Sequence, residues 1–208
     1  MRRKLLLVLG LWVLGAGAEV AGQTKITDPM PVFNLEYFVG TWSFEWTVPD
    51  SPLGPGGDLT GTQTYALLKP PVTFARIAGF PAVPASSVPL RFLSHPMLDG
   101  RMQGTAPDGA LKSRVLIGFD PTTKDAIRVE IQSRGAPTTR TGTIGGDLGG
   151  TFTFFWDSTP VKKGTQTVKL QGRTTMYSPT SFREQISYAV DGSPFKIYGQ
   201  PWYEKKDK

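Results

Sequence analysis

"LEYFVGTWSFEW", residues 35–46, decides the fold. Trp42, Phe44 and Trp46 recur at period two directly after Gly40 and Thr41. Successive side chains of a strand point to opposite faces, so the three aromatics share one face. Thr41, Ser43, Glu45 and Thr47 take the other. Three large rings on one face either fill a core or line a cavity. Just upstream, Asn34 is placed to cap one short helical turn, "LEYF", before the glycine.

The same alternation continues outward along the chain. Strands are predicted near 40–48, 58–68, 72–80, 112–120, 125–133, 138–146, 149–157, 165–177, 181–190 and 195–204. Val115, Ile117 and Phe119 oppose Arg114, Leu116 and Gly118. Ile127, Val129 and Ile131 oppose Arg128, Glu130 and Gln132, and the apolar set is read as facing inward. Phe152, Phe154 and Trp156 oppose Thr151, Thr153 and Phe155. The turns have mechanisms. Asp191-Gly192 supplies positive φ cheaply, Asp120-Pro121 starts a turn with proline at its second position, and the glycines at 145–150 frame a tight hairpin. Residues 81–110 hold five prolines and no sustained alternation, so they read as a broken edge strand near 89–93 or a lid-like excursion. Many short alternating runs between turn signals, in a chain with 24 glycines and 18 prolines, predict an all-β antiparallel barrel of about ten strands.

The first residues carry a separate signal. Arg2, Arg3 and Lys4 precede an apolar run from Leu5 to Leu14, and Ala16-Gly17-Ala18 is a small-x-small cleavage site. This is the pattern of a secretory signal peptide, residues 1–18. The apolar run falls short of the roughly 18 residues a transmembrane helix needs, so no stable membrane insertion is expected. Residues 19–32 then read as a flexible leader, 33–204 as the folded domain and 205–208 as a basic tail. The chain of 208 residues has no cysteine, so an exported domain must rely on its core rather than on disulfides. Its formal charge is +6, but residues 2–4 hold three of the 23 basic side chains; the remainder carries +3, scattered. A nucleic-acid partner would call for a clustered basic face, which is missing.

The Gly40-Thr41-Trp42 start after a helical turn resembles the opening of calycin-type barrels, the superfamily of lipocalins and fatty-acid-binding proteins. The closing "SFREQISYAVDGSPFKIYGQPWYEKK" and the Gly-rich "SPLGPGGDLTGTQTY" resemble an uncharacterised bacterial family of exported lipocalin-like domains with a Gly-Thr-Trp start. The resemblance implies that Trp42 packs across the closed end of the barrel against an arginine from a late strand, Arg183 or Arg173. Trp46, further along, is then a candidate for the cavity wall.

No catalytic signature stands out. The lone histidine, His95, lies in a Pro-rich stretch, so neither a metal cluster nor a triad base is assembled. No cofactor and no metal are expected. Glu45 and Glu130 fall on faces read as wet. Glu184 alternates with Phe182, Ile186 and Tyr188 and so points inward, where a carboxylate needs a partner; Arg76, Arg173 and Tyr65 are the candidates. The reading is an exported, non-enzymatic protein that binds a small hydrophobic or amphipathic molecule, with Phe44, Trp46, Tyr65, Arg76, Phe119, Phe154, Trp156, Arg173, Glu184 and Tyr188 as candidate ligand-binding residues. The alternatives are a calycin-type isomerase, cyclase or hydrolase using Glu184, or an interaction domain with a filled core. Ligand identity and oligomeric state are not legible.

Overall fold

In the computed structural model, which describes residues 34–74, 76–133, 137–146 and 151–206, Asn34 heads a 3-10 turn, Leu35–Phe38. Its side chain accepts from the Glu36 amide at 2.9 Å, the predicted cap. The expected signal peptide and leader lie outside the described residues, as does the tip of the 145–150 turn. Gly40 follows with φ +124°, a conformation strained for any other residue, and a Cβ there would lie 2.6 Å from Lys205 Cε.

The strands are β1 (Gly40–Val48), β2 (Gly57–Leu68), β3 (Met97–Ala106), β4 (Gly109–Phe119), β5 (Asp125–Gln132), β6 (Thr138–Gly146), β7 (Phe152–Ser158), β8 (Val161–Lys163), β9 (Gln166–Ser178), β10 (Ser181–Val190), β11 (Lys196–Gly199) and β12 (Trp202–Lys205). Each of β1 to β6 pairs antiparallel with the next, β7 pairs with β9, β9 with β10, β10 with β12, and β12 with β1. Ten strands therefore close into the expected all-β barrel, leaving no continuous open edge. β8 extends the line of β7 along β9, and β11 precedes β12 along β10. The break between the last two falls at Gln200-Pro201, where proline has no N–H to give the ladder. β12 runs to Lys205, so this lysine belongs to the barrel and not to a tail.

Two stretches differ from the sequence reading. Residues 72–74 and 76–80, the described part of the stretch read as a strand over 72–80, form none. Residues 97–106, read as irregular, form β3, which turns through Pro107-Asp108 into β4. The excursion is real but shorter: the described part of residues 69–96 carries a 3-10 turn, Ala85–Ser87, and an α-helical turn, α1 (Leu90–Leu93), and packs apolar side chains against the outside of the barrel. There Val72, Val88 and Phe92 pack on Met97, Leu116, Ile127, Val129 and Ile131.

That outer layer corrects the assignment of β5. Ile127, Val129 and Ile131 face outward under the excursion, and Arg128, Glu130 and Gln132 face the interior. The alternation was right and the side was reversed, because an apolar face can be covered from without as well as from within. The same cover buries Arg114, whose Nε and Nη2 donate to the two Asp99 carboxylate oxygens at 2.8 and 2.9 Å.

The closed end is aromatic. Trp42 is fully buried; its Nε1 donates to the Phe38 carbonyl at 2.7 Å, and its ring meets Phe182 edge-on at 4.8 Å. Phe182 stacks in turn on Tyr203 at 4.2 Å. The cation over Trp42 is Lys205, 5.4 Å from the ring, and not the expected Arg183 or Arg173. Arg183 instead donates to Gln200, and Arg173 to Gln185 at 3.0 Å.

Candidate functional site

Midway along the barrel, two strands supply arginines and two supply glutamates. Arg128 and Glu130 come from β5, Arg140 from β6 and Glu184 from β10; all four are buried, Glu184 to 1% exposure. Arg128 Nη1 donates to Glu184 Oε1, and Arg128 Nη2 reaches Glu130 Oε2 at 3.4 Å. Arg140 contacts Glu184 Oε2 at 3.5 Å and Glu130 Oε2 at 3.6 Å. The Gln132 amide donates to Glu130 Oε1 at 3.2 Å. Arg140 also lies 4.4 Å over the ring of Trp156. Each carboxylate thus touches both arginines, and the four charges cancel.

Strand geometry explains the convergence. Arg128 and Arg140 are directly paired across β5 and β6, so their side chains leave the same face. Glu130 stands two residues from Arg128 on that face. Glu184 arrives from the far wall of the barrel.

The electrostatics follow from burial against pairing. Burial alone would raise the Glu130 carboxyl; Arg128, then Arg140, and the Gln132 amide and Ser113 hydroxyl outweigh it and hold it below its ordinary value. Burial opposes the Arg128 charge, but Glu184 above all keeps that guanidinium protonated. Tyr65 and Tyr203, both buried beside the quartet, are pushed upward chiefly by desolvation, so both remain neutral phenols.

The quartet divides the interior. On one side lies a cavity of about 130 Å³, whose wall includes Phe44, Trp46, Leu59, Leu111 and Leu170, with Gln63, Ser113, Arg128 and Arg140 as polar groups. The ends of β1, β5, β8 and β11 surround it, at the opposite end from Trp42. Toward Trp42 is a gap of about 20 Å³ lined by Phe38, Tyr65, Phe154 and Phe182. Gly100 makes room for Tyr65: a Cβ there would lie 2.6 Å from the Tyr65 ring.

Four N–H groups on residues of the main cavity's wall are fully buried, closed off from the cavity itself, with no hydrogen-bond acceptor in the protein: Trp46 Nε1, Gln63 Nε2, and the Nε of Arg128 and of Arg140. Buried polar groups are rarely left this way.

Of the candidates read from sequence, Phe44, Trp46 and Glu184 line the main cavity, and Tyr65 and Phe154 the smaller gap. Trp156 is buried under Arg140. Phe119 is half-buried between the core clusters, and Tyr188 meets Tyr198 edge-on at 5.9 Å; neither lines the main cavity. Two expectations fail on position. Arg76 is exposed in the 69–96 excursion, and Arg173 is exposed on the outer face of β9. The partners of Glu184 are Arg128 and Arg140, not Arg76, Arg173 or Tyr65. Glu130 is interior, not wet. Arg128, Glu130, Arg140, Gln63 and Ser113 were missed. One signal pointed to them: an inward Glu184 demands cations on facing strands, and Arg128 and Arg140 occupy equivalent positions there.

Among the described residues, no three His, Cys, Asp or Glu side chains gather as a metal site, and no helix is long and apolar enough to cross a membrane.

No protein-family model matches the chain, and a search of curated proteins finds no match. One solved structure resembles the fold over most of both chains. Rv2717c from M. tuberculosis matches with a TM-score of 0.55 at 12% identity, over 83% of this chain and 94% of that one. Weaker likenesses are EF1p2_mFAP2b bound to DFHBI (TM-score 0.37, 15% identity, 83% and 95% covered) and the S-type phycobiliprotein lyase CPES from Guillardia theta (0.45, 10%, 83% and 90%). At 12% identity the likeness to Rv2717c speaks to the barrel fold alone.

Proposed function

We propose that this barrel binds a small, partly apolar molecule in the cavity above the Arg128–Glu184 layer, without chemical turnover. One observation carries the reading: a cavity of about 130 Å³ inside the barrel whose apolar wall of Phe44, Trp46, Leu59, Leu111 and Leu170 meets the polar side chains of Gln63, Arg128 and Arg140. Apolar walls with a few convergent polar groups are the usual form of a small-molecule site. Glu184 is a poor candidate for a general base, since both its oxygens are engaged by arginines. Native mass spectrometry of the protein from its own host is expected to show a co-purifying small molecule. A panel of fatty acids, retinoids, porphyrins and small aromatics is expected to contain compounds that quench Trp46 saturably. Absence of both an adduct and any saturable change overturns binding in favour of an interaction domain.

The reading includes export, as for the bacterial lipocalin-like domains that the Gly-Thr-Trp start and the Asp191-Gly192 hairpin resemble. Its support is the basic, apolar and small-residue order of residues 2–18. Amino-terminal sequencing of the mature protein is expected to begin between Glu19 and Gln23. A cytoplasmic protein still starting at Met1 or Arg2 overturns it.

A further inference from the structure

We propose that a second copy of this chain docks on the outer face of β7, β9, β10 and β12, centred on Trp202, to form a symmetric dimer. The proposal stands apart from the cavity and does not depend on what fills it.

Strand register lays this face out in rows. Thr174 and Met176 of β9 and Phe182 and Glu184 of β10 point inward, so the residues between them point out. Phe155, Arg173 and Gln185 stand side by side across β7, β9 and β10. The next row runs Thr153, Thr175, Arg183, Trp202 and Glu45, from β7 round to β1. Ile197, on β11, stands opposite Ser187 of β10. Tyr177 leans over from β9 and stacks on Trp202, with ring centroids 5.3 Å apart.

Exposure sets the face apart. Phe155, Tyr177, Ile197 and Trp202 are each 41–62% exposed, and they are four of the six large apolar side chains that the described residues leave open to solvent. One exposed apolar residue is ordinary; several gathered on one side of a barrel mark an interaction surface. Aromatic rings and arginines are also the residue types that dominate binding energy at protein interfaces.

Charge identifies the occupant. Arg173 and Arg183 lie to one side of Trp202, on β9 and β10. Glu45 lies to its other side, on β1, and Glu204 follows two residues after it on β12. Among the described residues, none of the four is in an ion pair. The arginines are held instead by neutral side chains: Arg173 donates to Gln185 at 3.0 Å, and Arg183 to Gln200. One face thus offers unpaired cations and unpaired carboxylates with an aromatic pair between them. A two-fold related copy presents the same face reversed. The arginine side of each copy then meets the glutamate side of the other, and the contact is made twice. A foreign acidic partner would satisfy the arginines but be repelled by Glu45 and Glu204.

The test is sedimentation equilibrium of the chain without residues 1–18, at tens of micromolar, with variants at outward positions only. The parent is expected to be a dimer. Trp202→Ser is expected to weaken association roughly tenfold or more, as for an aromatic at the centre of an interface. Reversing both arginines (Arg173→Glu with Arg183→Glu), or both glutamates (Glu45→Arg with Glu204→Arg), is expected to leave folded monomers. Mixing the two double variants is expected to restore a dimer with one copy of each, since each supplies the charges the other lacks. A parent that stays monomeric overturns the proposal. A dimer that survives Trp202→Ser and both reversals forms through another surface, and overturns it as well. Double variants that stay monomeric when mixed overturn the pairing of arginines with glutamates.

Discussion

Glu184→Gln is expected to lower stability by about 3–5 kcal/mol, the range for removing one partner of a buried ion pair. The substitution preserves shape and leaves Arg128 and Arg140 to share Glu130 alone. The loss is therefore mostly the cost of an unmatched buried cation, not the worth of one contact. Combining it with Arg128→Met restores the charge balance. The double variant is expected to recover part of the loss, with a coupling of about 0.5–3 kcal/mol. Urea midpoints at constant m-value measure both. A single-variant loss below about 1 kcal/mol, or strict additivity, would falsify the quartet as a coupled unit. The pH dependence follows from the same groups. The Glu130 carboxyl titrates below its ordinary value of 4.5 when folded, so its stabilisation is complete above that pH and is lost as pH falls further. Tyr65 and Tyr203 titrate above their ordinary 10.0, so their contribution is complete below that pH and lost as pH rises beyond it. The melting temperature should therefore be flat between those limits and fall on both sides.

The barrel was legible because its strands obey one rule, alternation, and its turns use Asp191-Gly192 and Asp120-Pro121, whose conformational preferences are local. Asp191 has φ 49° and Gly192 φ 80°, as the hairpin required. β3 was hidden for the opposite reason. Gly100 and Gly104 interrupt its apolar face, and the Gly100 backbone makes room for Tyr65, a residue more than thirty positions away. No local pattern reports such a neighbour. The site was half legible. Glu184 betrayed itself as a carboxylate on an apolar face, yet its partners were placed outside because Ile127, Val129 and Ile131 look more like a core than Arg128, Glu130 and Gln132 do. They are a core, but the one under residues 69–96. Which side of a strand faces the barrel axis is a property of what covers its back.

Trp42→Ala is the second large effect, expected to cost about 3–5 kcal/mol as a fully buried aromatic truncated to a methyl group. The loss has three parts: the cavity beneath Phe182, the Phe38 carbonyl left without its 2.7 Å partner, and the Lys205 cation left without a ring. Trp42→Phe separates them, since it keeps most of the volume and removes the N–H; loss of one hydrogen bond costs about 0.5–1.5 kcal/mol. Thr41→Ala, on the outer face of the same strand, is expected to change stability by less than about 0.5 kcal/mol. Neither pocket wall includes Trp42, so its variants that remain folded should bind ligand as the parent does. This separates it from Trp46, four residues along the same face and in the wall of the main cavity, where truncation to Ala should change affinity. Denaturant midpoints and calorimetric affinities for the Trp42 and Trp46 variants decide the matter. Equal and small stability losses at Trp42 and Thr41 would mean that the closed end does not depend on the indole. Reduced affinity at Trp42 with stability intact would move the binding site to the wrong end of the barrel.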